Sequence, residues 1–282
     1  MNSRIILGTA QFGQVYGLKN SKVLEKEKVF EILELAKDKK IVTLDTAEVY
    51  GYSHQIIGEY HKISGSKFNI NTKLKSLGRP DEFDRKIDQL LAELNIDKIK
   101  TLMLHSVFGD AMKIDRYAKI AEDRIDDFGV SIYLNEDINN LDLDAIKTVQ
   151  IPFNLLDNFS IRKGLIDFLV GKSINIHARS IFLQGLLTME SIDSKHNMHL
   201  EIIRNAQILY GKLEKKFSLK QYALCYPLLH GNLGGVLIGV DSKNQLNENI
   251  NLLKNIEEVK KHQEIIDTFQ YPRYSQLDPR NW

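Results

Sequence analysis

The sequence predicts an α/β protein, a single-domain (β/α)8 barrel of the TIM type spanning residues 1–282, and three observations point to it. Eight short, β-rich apolar runs recur along the 282 residues. Segments with helical hydrophobic period lie between them. No linker, low-complexity tract or internal repeat divides the chain.

In chain order, the candidate strands cover residues 4–7, 41–44, 68–72, 99–104, 127–132, 148–152, 174–178 and 235–239. They are short and mostly unalternating, as parallel strands covered on both faces should be. Between them, Val29, Ile32, Leu33 and Ala36 share one helical face, and so do Phe83, Ile87, Leu90, Leu91 and Leu94. Ile202, Ala206, Leu209 and Leu213 form another stripe, and Leu246, Ile250 and Leu253 one more. Such stripes are read as core packing. Strand–helix alternation implies a parallel sheet with right-handed crossovers, and eight units favour closure over the alternative, an open doubly wound sheet. The loop Gly8-Thr9-Ala10-Gln11-Phe12-Gly13 has the wrong spacing for a dinucleotide fingerprint on such an open sheet. The polar stretch 186–198 is expected to be a long loop. The tail 271–282, with two Tyr, two Pro and the single Trp, is expected to fold over a pocket mouth.

Charge is nearly balanced, 38 basic against 37 acidic residues, so neither nucleic acid nor an anionic membrane is expected as a partner. The first residues lack the apolar run of a signal peptide, and no apolar stretch is long enough to cross a bilayer. Cys225 is the only cysteine, which rules out an intrachain disulfide and fits a reducing compartment. The location read from these features is cytoplasmic. Monomer and homo-oligomer both fit the sequence.

Barrel active sites lie at the C-terminal ends of the strands, so polar residues there carry the chemical information. The second strand runs into Asp45-Thr46-Ala47-Glu48-Val49-Tyr50-Gly51, the third into Lys73 and the fourth into His105. Singly, these residues read as a helix cap, a packed tyrosine, a surface charge and a core histidine. Together on one rim they suit the conversion of a carbonyl to an alcohol. Tyrosine is a weak acid unless a cation stabilises its anion, and Lys73 is expected to supply that charge. Asp45 would orient Lys73, and His105 would place the carbonyl oxygen beside Tyr50. Hydride must come from a cofactor, since no side chain delivers one.

These residues resemble the signature of the aldo-keto reductases, and the likeness extends along nearly the whole chain. It implies NADP(H) or NAD(H) as cofactor and a small-molecule carbonyl as substrate. Thr9 then lies near the nicotinamide ribose, Gln150 matches the glutamine that holds the nicotinamide amide, and Ser131 matches a serine beside it. The segment containing Ser180, Leu183 and Gly185 resembles the loop at the pyrophosphate. The segment 239–249 resembles the adenosine side, with Gly239, Asp241, Gln245, Glu248 and Asn249 as contacts. Four departures stand out. Ile132 replaces an asparagine common after Ser131. Arg179 replaces an aromatic residue that often stacks on the nicotinamide, and a guanidinium there could stack, meet a phosphate or face the substrate. The basic residues usual at the ribose 2′-phosphate are absent, with Lys243 the only nearby cation in sequence, so weakened NADP preference and acceptance of NAD are expected. The N-terminal hairpin of many relatives is short or missing, since the first strand starts near Arg4.

The reading is therefore a carbonyl reductase, with two alternatives: a Schiff-base lyase or aldolase using Lys73, or a non-catalytic cofactor-binding sensor or subunit. Tyr16, Tyr52, Phe108, Tyr271, Tyr274 and Trp282 are candidate pocket aromatics for a sugar or another small carbonyl. Arg179 and Arg273 would suit an anionic group, such as that of a phosphorylated or nucleotide-linked sugar. His196 and His199 have metal-like spacing but no third ligand, so no metal is expected. Cys225 is read as a buried structural thiol.

Overall fold

The computed structural model describes residues 2–18, 22–105, 114–141, 143–188 and 197–282. Phe108 and His196 lie outside these. Eight strands are present: β1 (Ile5–Gly8), β2 (Thr43–Asp45), β3 (Asn69–Leu74), β4 (Ile99–Leu104), β5 (Ile125–Ser131), β6 (Thr148–Pro152), β7 (Asn175–Arg179) and β8 (Gly235–Gly239). Every neighbouring pair is parallel, and β8 pairs with β1, closing the barrel and excluding the open sheet.

The helices are α1 (Ala10–Gly13), α2 (Lys26–Asp38), α3 (Ser53–Ser64), α4 (Pro80–Leu94), α5 (Ile114–Ile120), α6 (Phe159–Gly171), α7 (Asn197–Lys212), α8 (Leu219–Leu229), α9 (Lys243–Leu252), α10 (Ile256–Lys260) and α11 (Gln263–Asp267). Alternation lapses once: among the described residues, β5 and β6 are joined by a 3₁₀ turn, Asn135–Asn140, rather than an α-helix. A single 3₁₀ turn, Asn2–Arg4, precedes β1. The Arg4 guanidinium donates to the carbonyls of Leu228, His230 and Leu233, tying β1 to the loop that enters β8.

Register explains how a chain with these strands builds a polar centre. Side chains alternate between strand faces. The in-register set Leu7, Leu44 and Ile70 is fully buried and faces the helices, joined there by Val130, Val149 and Ile176. The alternate set (Asp45, Asn71, Lys73, Met103, Ser131, Gln150 and Arg179) turns into the barrel. Gln150 on β6 bonds Asp45 on β2, a contact between non-adjacent strands that can run only through the interior. The apolar runs in the sequence therefore record the outer, helix-covered face of each strand, which forms the main core.

Four helix starts have an identifiable cause. Asn158 and Ser218 accept N-cap bonds for α6 and α8, and Ser242 does so for α9. Pro80 opens α4, where its missing N–H costs nothing. No helix among the described residues is long and apolar enough to cross a membrane.

Candidate active site

Strand pairing sets the distances at the C-terminal rim. Asp45 pairs with Asn71, and Lys73 lies two residues further along the same face of β3. A lysine side chain from there reaches back over Asn71 to Asp45. Its Nζ donates to Asp45 Oδ1, and also to the Thr46 carbonyl at 3.3 Å. Both partners are 2% exposed. The second carboxylate oxygen of Asp45 accepts from Gln150 Nε2 at 2.9 Å.

Tyr50 is carried by the turn after β2. Its N–H donates to Ala47 O, and its carbonyl accepts from Ser53 N–H. Gly13 and Gly51 allow this turn to sit on α1. A Cβ on Gly13 would lie 2.0 Å from Tyr50 O, and one on Gly51, at φ +55°, 2.1 Å from Gly13 O. The Lys73 ammonium lies 5.6 Å from the Tyr50 ring centroid. His105 follows β4, with its N–H on Leu74 O at 2.9 Å.

Burial and the Asp45 charge push the Tyr50 hydroxyl well above the ordinary tyrosine value, while Arg179 opposes the rise. Lys73, paired with Asp45, is the cation nearest the Tyr50 ring, and Arg179 is a second cation whose charge lowers the Tyr50 value. Burial pulls Lys73 below the usual lysine value, and the charge and hydrogen bond of Asp45 pull it back up. Burial, with Lys73 and Arg179 nearby, lowers His105 to about 4, so its imidazole is neutral at pH 7.

A cavity of 730 Å³ opens from this rim, within the range of small-molecule and cofactor sites. Asp45, Tyr50, Lys73 and His105 all line it. So do Thr9, Ser131, Gln150, Arg179, Ser180, Gly185, Gly239, Asp241, Gln245 and Asn249. Leu183 and Glu248 do not. Leu183 is fully buried in the core, and Glu248 points outward to pair with Lys220 at 2.9 Å. Thr9 is held from below, its N–H and hydroxyl both donating to Asp45 O at 3.0 Å. Ser180, Leu183, Gln184 and Gly185 all have positive φ, so the chain bends sharply along the cavity wall after β7.

Other sequence expectations resolve differently. Tyr16 lines the cavity, but Tyr52 is 72% exposed and does not. The tail reaches the cavity through Pro279 and Arg280, not through its aromatics. Tyr271 bonds Gln276, Tyr274 bonds the Tyr133 carbonyl, and Trp282 packs on His199. Arg273 pairs with Glu201, away from the cavity. Lys243 does not line the cavity, whereas Lys220, from the start of α8, lines it along with Asp241, Gln245 and Asn249. Cys225 is buried with its thiol pushed up to about 12, which suits an inert structural residue.

The sequence matches the Aldo/keto reductase family over residues 4–269. The chain belongs to that family. It is accordingly an oxidoreductase enzyme, and its relatives are of the same kind. L-galactose dehydrogenase of Arabidopsis thaliana is 24% identical over 289 residues, covering 94% of this chain and 88% of that protein. Among solved structures, aldo-keto reductase AKR11C1 from Bacillus halodurans, in its holo form, superposes with a TM-score of 0.75 at 18% identity, covering 96% of this chain and 94% of its own. Glycerol dehydrogenase AKR11B4 from Gluconobacter oxydans superposes at 0.66 with 21% identity, covering 95% and 94%. At these identities the superpositions speak for the fold alone.

Proposed function

We propose that this aldo-keto reductase reduces an aldehyde or ketone to an alcohol with a nicotinamide nucleotide, Tyr50 delivering the proton. The observation that carries the reading is the buried Asp45–Lys73 pair, its ammonium 5.6 Å from the Tyr50 ring, beside a neutral His105. Bound in the cavity, a reduced nicotinamide would supply the hydride that no side chain can.

The lining suits such a nucleotide. Asn249 Oδ1 is buried at the cavity wall with no donor among the described residues, which suits an adenine amino group. Gly185 and the left-handed residues before it bring bare backbone to the wall, where a diphosphate would lie. Gln150 and Ser131 stand at the Tyr50 end, where the nicotinamide amide would sit. Asp241 at the far end disfavours a 2′-phosphate while Lys220, shared with Glu248, favours one, so NADH and NADPH should both be accepted.

Each side chain then has a role. Tyr50, protonated because its anion is destabilised by burial, is a loaded acid at neutral pH. Its proton goes to the carbonyl oxygen as charge develops there, and Arg179 stabilises the tyrosinate left behind. Neutral His105 donates to the same oxygen and fixes its position. Asp45 holds the Lys73 ammonium under Tyr50, and Gln150 holds the other oxygen of Asp45. A Lys73 Schiff base is the poorer reading, since the amine would first have to leave its buried carboxylate partner. The cytoplasm is a fitting compartment for a chain whose one cysteine is a buried thiol.

The test is Tyr50→Phe. Removing a general acid should lower kcat about 10²–10⁴-fold while fluorescence titration shows nucleotide binding intact. Full activity in that variant would overturn the assignment.

A further inference from the structure

The ring of Tyr133, just beyond β5, has an arginine against each face. The Arg179 guanidinium carbon lies 3.9 Å from the ring centroid and that of Arg280 lies 3.8 Å from it. Two guanidiniums that close to one centroid would collide on a single face, so they flank the ring. Arg179, Tyr133 and Arg280 all line the cavity.

We propose that this Arg179–Tyr133–Arg280 stack is an anion-recognition subsite for the substrate, so that the cavity takes carbonyl compounds carrying a carboxylate or a phosphate. This rests on the carbonyl-reductase reading and specifies its substrate class.

Charge is the first argument. Stacking on the ring offsets only part of the cost of holding two cations together. Arg280 is compensated by Asp278, which it grips through Nε and Nη2. Arg179 is not. Its hydrogen bonds go to neutral oxygens, to Ser131 Oγ at 3.2 Å, Ser180 Oγ at 3.1 Å and Ile132 O at 3.0 Å. No carboxylate is within ion-pair distance of it among the described residues. A cation of that kind on a cavity wall attracts an anion.

Donor geometry is the second. A guanidinium has five N–H groups in a planar fork suited to carboxylate and phosphate. Arg179 has committed three, and the Nη1 of Arg280 has no protein acceptor among the described residues.

Rigidity is the third. The Tyr133 carbonyl accepts from Arg162 Nη2 at 2.8 Å and from the Tyr274 hydroxyl at 3.1 Å, and its N–H donates to Asp137 at 3.0 Å. Arg162 is itself fully buried and doubly bonded to Asp157. The platform is therefore set before any ligand arrives, which limits the ordering cost of binding.

Position assigns the anion to the substrate. Arg179 bonds Ser131, whose strand partner Gln150 bonds Asp45, and it lines the same cavity as Tyr50 and His105, so a group bound there adjoins the catalytic rim.

The test compares matched substrates on the purified enzyme with NADPH and NADH. One pair is 4-carboxybenzaldehyde and its methyl ester; the other is glyceraldehyde 3-phosphate and glyceraldehyde. The charged member of at least one pair should be favoured in kcat/KM by roughly tenfold to a hundredfold, the worth of one charge-assisted hydrogen bond, mostly through KM. Which pair responds tells a carboxylate substrate from a phosphate one. Arg280→Gln should bring the preference close to unity without moving the nucleotide KM, and Arg280→Lys should keep part of it. Equal use of charged and neutral members by the wild type would overturn the proposal whatever the variants do. So would an Arg280→Gln that raises the nucleotide KM and leaves the preference intact, because the stack would then serve the cofactor diphosphate. If no carbonyl is reduced with either nucleotide, the reductase reading fails instead. Calorimetric titration with benzoate and phenyl phosphate then tests the subsite alone: binding that Arg280→Gln abolishes supports it, and no binding refutes it.

Discussion

Replacing Asp45 by Asn removes one charge from a pair that is 2% exposed on both sides, and the cost follows from what happens to Lys73. If Lys73 keeps its proton, a buried ammonium stands without a counter-charge, which costs about 3–5 kcal/mol. If it gives the proton up, the cost at pH 7 is bounded by the gap to its unfolded pKa, about 1.4 kcal/mol for each of roughly 3.4 units, or nearly 5 kcal/mol. Both routes give a loss of about 4 kcal/mol, a large share of the ~5–15 kcal/mol that holds a domain together. The pH dependence identifies the cause. Without Asp45, the two largest influences that raise the Lys73 pKa are gone, while burial and Arg179 still lower it, so the folded value falls further below the unfolded one. Between those two values the unfolded state binds more protons, so stability rises with pH. Asp45→Asn should therefore recover between pH 7 and pH 9 by up to about 1.4 kcal/mol per unit, more steeply than the wild type. Adding Lys73→Met should restore most of the loss, because no buried charge is left. Urea midpoints at the two pH values measure all of this. A single variant that loses under 1 kcal/mol with no added pH slope, or a double variant no more stable than the single, would refute the argument.

Three further outcomes are expected. Burial holds His54, His105 and His177 at about 4, so each is neutral in the fold and charges more readily when unfolded. Stability present above pH ~6.5 should be lost as pH falls toward 4, by up to roughly 3 kcal/mol for each of the two most buried, His54 and His177; an unfolding midpoint flat over that range would contradict this. Both NADH and NADPH should support turnover, and Asp241→Ser should raise the NADPH-to-NADH ratio of kcat/KM about fivefold, the worth of one exposed charge interaction of about 1 kcal/mol. A wild-type enzyme that uses NADPH almost exclusively would defeat that reading. Asn158 caps α6 and donates to the carbonyls of Ile266 and Phe269 at 2.7 Å each, so Asn158→Ala should cost about 3 kcal/mol in denaturant unfolding.

The strands and the helices α2, α4, α7 and α9 were legible in the sequence because their causes are local. A strand covered by helices needs an unbroken apolar outer face, and a helix packed on it needs a stripe at the helical period; neighbouring residues write both. Asp45, Tyr50, Lys73 and His105 were legible too, because parallel strands necessarily bring their C-terminal ends to one rim. The 3₁₀ crossover between β5 and β6 was not, since its segment has no strong period of either kind. Nor were contacts between elements far apart in the chain. Arg280 meets Tyr133 from nearly 150 positions away, Lys220 reaches the Asp241 end from another helix, and Gln150 crosses the barrel to Asp45.

By itself, then, the sequence determined a closed barrel with a tyrosine, a lysine, an aspartate and a histidine at its rim. Only the tertiary structure decided the charge around them. It ties the second oxygen of Asp45 to Gln150, adds Arg179 as a further cation acting on Tyr50, and brings Arg280 on the tail to face it across Tyr133. The reason is physical. Whether a charge is compensated depends on what lies within a few ångströms in space, and in a closed barrel those neighbours come from strands and tails that the order of residues does not place side by side.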